Sequence, residues 1–98
     1  NILQKLGKNS FLINIARGSV IDQQALIHAL QNKIICGAGL DVFENEPNVP
    51  DDLMSLDNVI LTPHIGSATV ETRYDMGKLV YDNVVQMLTK KSTISPVN

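Results

Sequence analysis

The chain has 98 residues, enough for one domain at most or for a piece of one, and its 44% hydrophobic and 18% charged content is that of an ordinary globular protein rather than a disordered or fibrous one. Eight basic against ten acidic residues leave a net charge of −2, which excludes an electrostatic footprint for nucleic acid or an anionic membrane, and one cysteine excludes an internal disulfide or a cysteine pair for structural zinc. No apolar run approaches the ~20 residues of a membrane span and no secretory signal is readable, so a reducing, cytoplasmic setting is expected.

In chain order, Ile2, Leu3 and Leu6 give helical spacing that stops at Gly7. The run Phe11–Ile15, apolar except for Asn14, predicts a strand buried on both faces, as in a parallel sheet. Arg17-Gly18-Ser19 breaks that strand. Asp22 is a good N-cap for a helix over 23–32 with Ala25, Leu26, Ala29 and Leu30 as its apolar stripe. Residues 34–43 predict a second buried strand in which Cys36 is inert packing. A loop over 44–58 with Pro47 and Pro50 follows, and Asp51-Asp52 reads as a turn rather than a metal pair. Asn58–Leu61 predicts a third strand stopped by Thr62-Pro63. Thr69 opens a long helix to about residue 90, its apolar face formed by Val70, Tyr74, Gly77, Val80, Tyr81, Val84 and Leu88, with the tyrosines expected in a core or interface. The remaining tail is extended and turn-rich.

Strand, helix, strand, loop, strand, helix predicts an α/β fold: a partial parallel sheet with flanking helices and a long C-terminal helix. The direction of the third strand is left open, because no long helix is visible in the second connection. Three strands with so little helix, about 4% aromatic content, no Trp and a start at Asn-Ile-Leu-Gln give the expectation of a segment of a larger protein.

Ligands of open α/β sheets bind beyond the carboxyl ends of the strands. Those ends carry Arg17 after the first strand, Asp41 and Glu46 after the second, and His64 after the third. An arginine fork suits a carboxylate held bidentately, and a histidine can give or take a proton near neutrality. A carboxylate behind the imidazole would fix its tautomer; Glu46 is the better placed, with Glu44 as the alternative. Such a set fits a 2-keto or 2-hydroxy acid, with hydride supplied by a cofactor because no cysteine or activated serine offers a nucleophile.

Three ordered segments carry a family resemblance across essentially the whole chain. Asn14-Ile15-Ala16-Arg17-Gly18-Ser19-Val20-Ile21-Asp22 resembles the N-x-A-R-G-x-x-(I/V)-D signature of the D-isomer-specific 2-hydroxyacid dehydrogenases. Gly39-Leu40-Asp41-Val42-Phe43-Glu44-Asn45-Glu46-Pro47 is similar to that family's G-L-D-V-F-x-x-E-P segment, and Leu61-Thr62-Pro63-His64-Ile65-Gly66-Ser67-Ala68-Thr69 to its L-T-P-H-I-G segment. The closing Pro96-Val97-Asn98 also resembles the family's ending.

The resemblance implies a Rossmann-like fold, with residues 1–68 the C-terminal part of a dinucleotide-binding domain and residues 69–98 a return helix and tail toward an absent substrate domain. It implies Arg17, Glu46 and His64 as catalytic residues, Ala16, Asp41 and Gly66 as contacts to NAD or NADP, and no metal. The implied activity is hydride transfer between NAD(P)H and a small 2-keto or 2-hydroxy acid, glyoxylate- or hydroxypyruvate-like, in a parent protein expected to be a homodimer. The family's Gly-rich phosphate loop is missing: Gly37-Ala38-Gly39 lacks a third glycine and lies within a strand. The isolated chain is therefore expected to be inactive. The alternative reading is a non-enzymatic, NAD-sensing, corepressor-like module on the same fold.

Overall fold

The computed structural model describes residues 2–97 and divides into two units, Asn1–Gly66 and Ser67–Asn98. The first unit contains α1 (Ile2–Leu6), β1 (Phe11–Asn14), a single 3-10 turn (Gly18–Val20), α2 (Gln23–Gln31), β2 (Gly37–Leu40), α3 (Asp51–Met54) and β3 (Val59–Leu61). The second is built on α4 (Val70–Lys90).

The sheet runs in the order β1-β2-β3 and every pairing is parallel. Phe11 through Asn14 pair with Gly37 through Leu40, and Ala38 through Leu40 pair with Val59 through Leu61. The direction of the third strand is thus the same as that of the other two. The loop over 44–58 is not wholly irregular: Asp51 and Asp52 form the first turn of α3, where acidic side chains complement the helix dipole, and α3 buries Leu53 completely.

The Asp22 side chain accepts the Ala25 N–H (2.9 Å) and caps α2, which turns Leu26, Ile27, Ala29 and Leu30 into the core. They meet Leu3, Ile35, Ala38, Leu40, Phe43 and Leu53. Each large aliphatic side chain buried there contributes about 1.5–3 kcal/mol.

Several expectations need correction. β2 is shorter than residues 34–43, because the chain leaves α2 through Lys33 in the left-handed region and the Ile34 N–H bonds the Ala29 carbonyl (2.9 Å), which commits these residues to ending the helix. Ile35 is then buried, while Cys36 is exposed rather than packed inside. β1 ends at Asn14, and only one face of the sheet is covered: Phe11 and Ile13 are each 67% exposed, as is most of Ile15 and Ile60. The continuous apolarity of β1 reflects two apolar faces, one of which is open in this unit.

In the second unit the Thr69 hydroxyl accepts the Thr72 N–H (3.1 Å) at the start of α4, and Lys91, in the left-handed region, closes it through its N–H to the Met87 carbonyl (3.0 Å). Asn83 Oδ1 receives the N–H groups of Ile94 (3.0 Å) and Ser95 (3.1 Å), which folds the tail along its own helix. No residue of α4 is buried, so Tyr74 and Tyr81 are exposed and belong to no core of this chain. Among the described residues no helix is long and apolar enough to cross a membrane.

Candidate functional site

Because all three strands are parallel, their carboxyl ends share one edge of the sheet, and each carries a tightly bonded turn. The first turn follows Asn14. Its side chain accepts the Ala16 N–H at Oδ1 (3.1 Å) and donates from Nδ2 to the Arg17 carbonyl (2.9 Å). The main-chain carbonyl of Asn14 accepts the Asp41 N–H (3.0 Å), tying this turn to the end of β2. Arg17 itself is exposed, its guanidinium donating to the Ala16 carbonyl (2.6 Å).

The next residue, Gly18, is buried against the second turn. A Cβ there would sit 2.0 Å from the Phe43 carbonyl carbon and 2.4 Å from the Glu44 nitrogen, so only glycine permits this approach. The Arg17 turn and the 43–46 loop therefore pack backbone to backbone. That loop is further held by Gln23, a buried residue of the first turn of α2, whose Oε1 accepts the Glu44 N–H (3.3 Å). Glu46 then folds back: Oε1 accepts the Phe43 N–H (3.0 Å), and Oε2 lies 2.7 Å from His64 Nδ1. The His64 bond, with the Phe43 N–H second, holds the Glu46 carboxyl below its ordinary range, and Arg17 adds a smaller pull in the same direction. An ionised carboxylate only accepts, so Nδ1 carries the proton toward Glu46 and Nε2 is the nitrogen free to exchange one.

The third turn fixes that imidazole. The Thr62 N–H bonds the Leu40 carbonyl (2.9 Å), and after the Pro63 bend the His64 N–H returns to the Thr62 carbonyl (3.1 Å). His64 has φ 54°, a left-handed conformation that costs a non-glycine residue about 1–2 kcal/mol. Asp41, 6% exposed, stabilises it. Its Oδ1 accepts the Thr62 hydroxyl (2.6 Å) and the Ile65 N–H (2.8 Å), and its Oδ2 accepts the Gly66 N–H (2.8 Å). The Thr62 bond, then the Ile65 bond, hold the Asp41 carboxyl below its usual value. A cavity of about 140 Å³ lined by Phe43, Glu46, Pro47, Val49, Pro63 and His64 opens beside the pair.

The geometry joins all six residues singled out in the sequence through direct bonds or shared turns: Ala16 with Arg17, Glu46 with His64, and Asp41 with Gly66; Asp41 also reaches the Arg17 turn through Asn14. Glu46 rather than Glu44 meets the imidazole; Glu44 supplies its N–H to Gln23. The N–H groups of Ala16 and Gly66 are both engaged within the chain, so at these two positions and Asp41 the main chain and carboxylate offer a ligand acceptors, the Ala16 carbonyl and the remaining lone pair of Asp41. Asn14, Gln23 and Thr62 were not singled out as site residues. Asn14 had a signal, as the lone polar residue in an apolar strand, and Thr62 stands in the L-T-P-H-I-G segment; Gln23 had none, since its partner lies 21 residues away. Gly37 and Gly39 pack against Phe11, Asn58 and Ile13 within the sheet and head no helix. Among the described residues no group of three or more His, Cys, Asp or Glu side chains could hold a metal ion.

Comparison with known proteins places these motifs in context. The model of the D-isomer specific 2-hydroxyacid dehydrogenase NAD binding domain matches residues 1–66. A 2-ketogluconate reductase of Gluconobacter oxydans (strain 621H) is 55% identical over 95 residues, covering 97% of this chain and 31% of the relative. A glyoxylate reductase of Pyrococcus furiosus is 52% identical over 94 residues, covering 96% of this chain and 27% of that protein. The crystal structure of an NADPH-dependent glyoxylate/hydroxypyruvate reductase from Sinorhizobium meliloti in complex with NADP and malonate superposes with a TM-score of 0.93 at 52% identity, over 98% of this chain and 30% of that one. The chain thus spans about a third of the length of the relatives it matches.

Proposed function

This chain belongs to the D-isomer-specific 2-hydroxyacid dehydrogenase family, and we propose from that premise that the protein carrying it transfers hydride between NAD(P)H and a small 2-keto or 2-hydroxy acid of the glyoxylate or hydroxypyruvate class. Residues 1–68 serve as the C-terminal part of its dinucleotide-binding domain and 69–98 as the return helix and tail toward a substrate domain. The whole protein works as a homodimer in the cytoplasm, and the 98 residues alone are inactive.

The observation that carries this reading is the Glu46–His64 bond of 2.7 Å on a loop packed through Gly18 against the turn that bears Arg17. Arg17 binds the substrate carboxylate with its fork of donors and polarises the neighbouring carbonyl. His64, its Nδ1 proton directed to Glu46, holds the exchangeable proton at Nε2: in reduction it protonates the carbonyl oxygen, and in oxidation it accepts the hydroxyl proton. Glu46 keeps the ring oriented through its bond to Nδ1. The Ala16 carbonyl and Asp41 suit the donor NH2 of a nicotinamide carboxamide, and Gly66 lies beside them; the bound cofactor supplies the hydride from C4.

The test is His64→Gln in the complete protein. We expect kcat to fall ~10²–10⁴-fold, the scale of a lost general acid–base, while NAD(P)H affinity is retained and the His-type ionisation disappears from the pH–rate profile. A variant with normal kcat and an unchanged profile would exclude the assignment.

A further inference from the structure

We propose that Asn14 is a positioning residue for substrate recognition: by holding the main chain at Arg17 it aims the guanidinium at the substrate carboxylate, an inference that rests on the role of Arg17 given above.

Asn14 is 5% exposed, yet every polar atom of its side chain serves the turn that leads to Arg17. Oδ1 takes the Ala16 N–H (3.1 Å) and Nδ2 gives to the Arg17 carbonyl (2.9 Å). The carbonyl of Asn14 meanwhile takes the Asp41 N–H (3.0 Å), so the residue is anchored in the sheet on one side and grips Arg17 on the other. The two side-chain bonds are chemically separable. An aspartate or serine oxygen at this position could accept the Ala16 N–H and close the same turn. Donation to the Arg17 carbonyl needs the amide NH2, which neither supplies in that geometry. A turn needed only for folding would be satisfied by the first bond. The second acts on the one residue of the turn whose direction matters for a carboxylate, and a bidentate clamp loses its advantage when its base shifts by a fraction of an ångström.

The measurement compares kcat/KM for a 2-keto acid with that for its methyl ester, which lacks the carboxylate charge, in Asn14→Ser, Asn14→Asp and Arg17→Ala variants of the complete protein. In both Asn14 variants the preference for the acid over the ester should fall about tenfold through KM, with KM for NAD(P)H unchanged, as expected when one charge-assisted contact is misdirected. Proportional loss on acid and ester, or no loss, would overturn the proposal, as would failure of both variants to fold, since Asn14 would then belong to the fold and not to recognition. Arg17→Ala separates the two levels. If it leaves the acid preference intact, the assignment of Arg17 fails; if it abolishes the preference while the Asn14 variants do not, only the present inference fails.

Discussion

Replacing Gly18 by alanine should disable the site by moving backbone rather than by removing any functional side chain. The added Cβ would lie 2.0 Å from the Phe43 carbonyl carbon, 2.1 Å from its oxygen and 2.4 Å from the Glu44 nitrogen. Ordinary contact begins at 3.4 Å, so the worst overlap is 3.4 − 2.0 = 1.4 Å, and all three atoms are main chain with no rotamer to absorb it. The Phe43–Glu44 peptide must therefore shift, straining the Phe43 N–H bond to Glu46 (3.0 Å) and the Glu44 N–H bond to Gln23 (3.3 Å). Overpacking of this kind costs about 1–3 kcal/mol and a lost hydrogen bond about 1 kcal/mol, so a destabilisation of about 2–4 kcal/mol is expected. Urea unfolding of the complete protein reads the stability, and kcat reads the loosening of Glu46 from His64. If Gly18→Ala matched wild type within about 0.5 kcal/mol and kept its kcat, the backbone contact would not be the constraint described.

Two further outcomes follow from the carboxylates. Asp41→Asn exchanges an acceptor of three donors for an amide whose NH2 must face one of them, so amide exchange at Ile65 and Gly66 should accelerate at least tenfold and kcat should fall as His64 loses its fixed backbone; unchanged exchange protection would show that Asp41 does not hold the turn. The folded-state pKa of Glu46 is lowered from 4.5, so its stabilising contribution is complete above that ordinary value and is lost as pH falls through the lower folded one. The stability gap between wild type and Glu46→Gln should accordingly be constant near neutrality and close in acid; a gap that persists undiminished to about pH 2 would refute the His64 and Phe43 bonds as its source.

What the amino-acid order alone determined was whatever depends on neighbours a few residues apart. Asp22 and Thr69 announced the starts of α2 and α4 because a cap bonds an N–H three residues on. The spacing of apolar residues gave α1, α2, α4 and the presence of three strands, though not α3 or the bounds of β2, and the three motifs placed Arg17, Glu46 and His64 at or just beyond strand ends. The tertiary structure decided what depends on chain segments meeting from afar. The parallel direction of β3 required its register with β2, and the choice of Glu46 over Glu44 required a loop closed by its own Phe43 N–H and reached by a ring 18 residues away. Gly18 needed its place against Phe43 before its missing side chain had meaning, and Gln23 and Thr62 became site residues only through partners 21 positions distant. Periodicity and capping are local free energies written into short windows of sequence, whereas hydrogen-bond complementarity between separate turns exists only once the sheet has brought their ends to one edge.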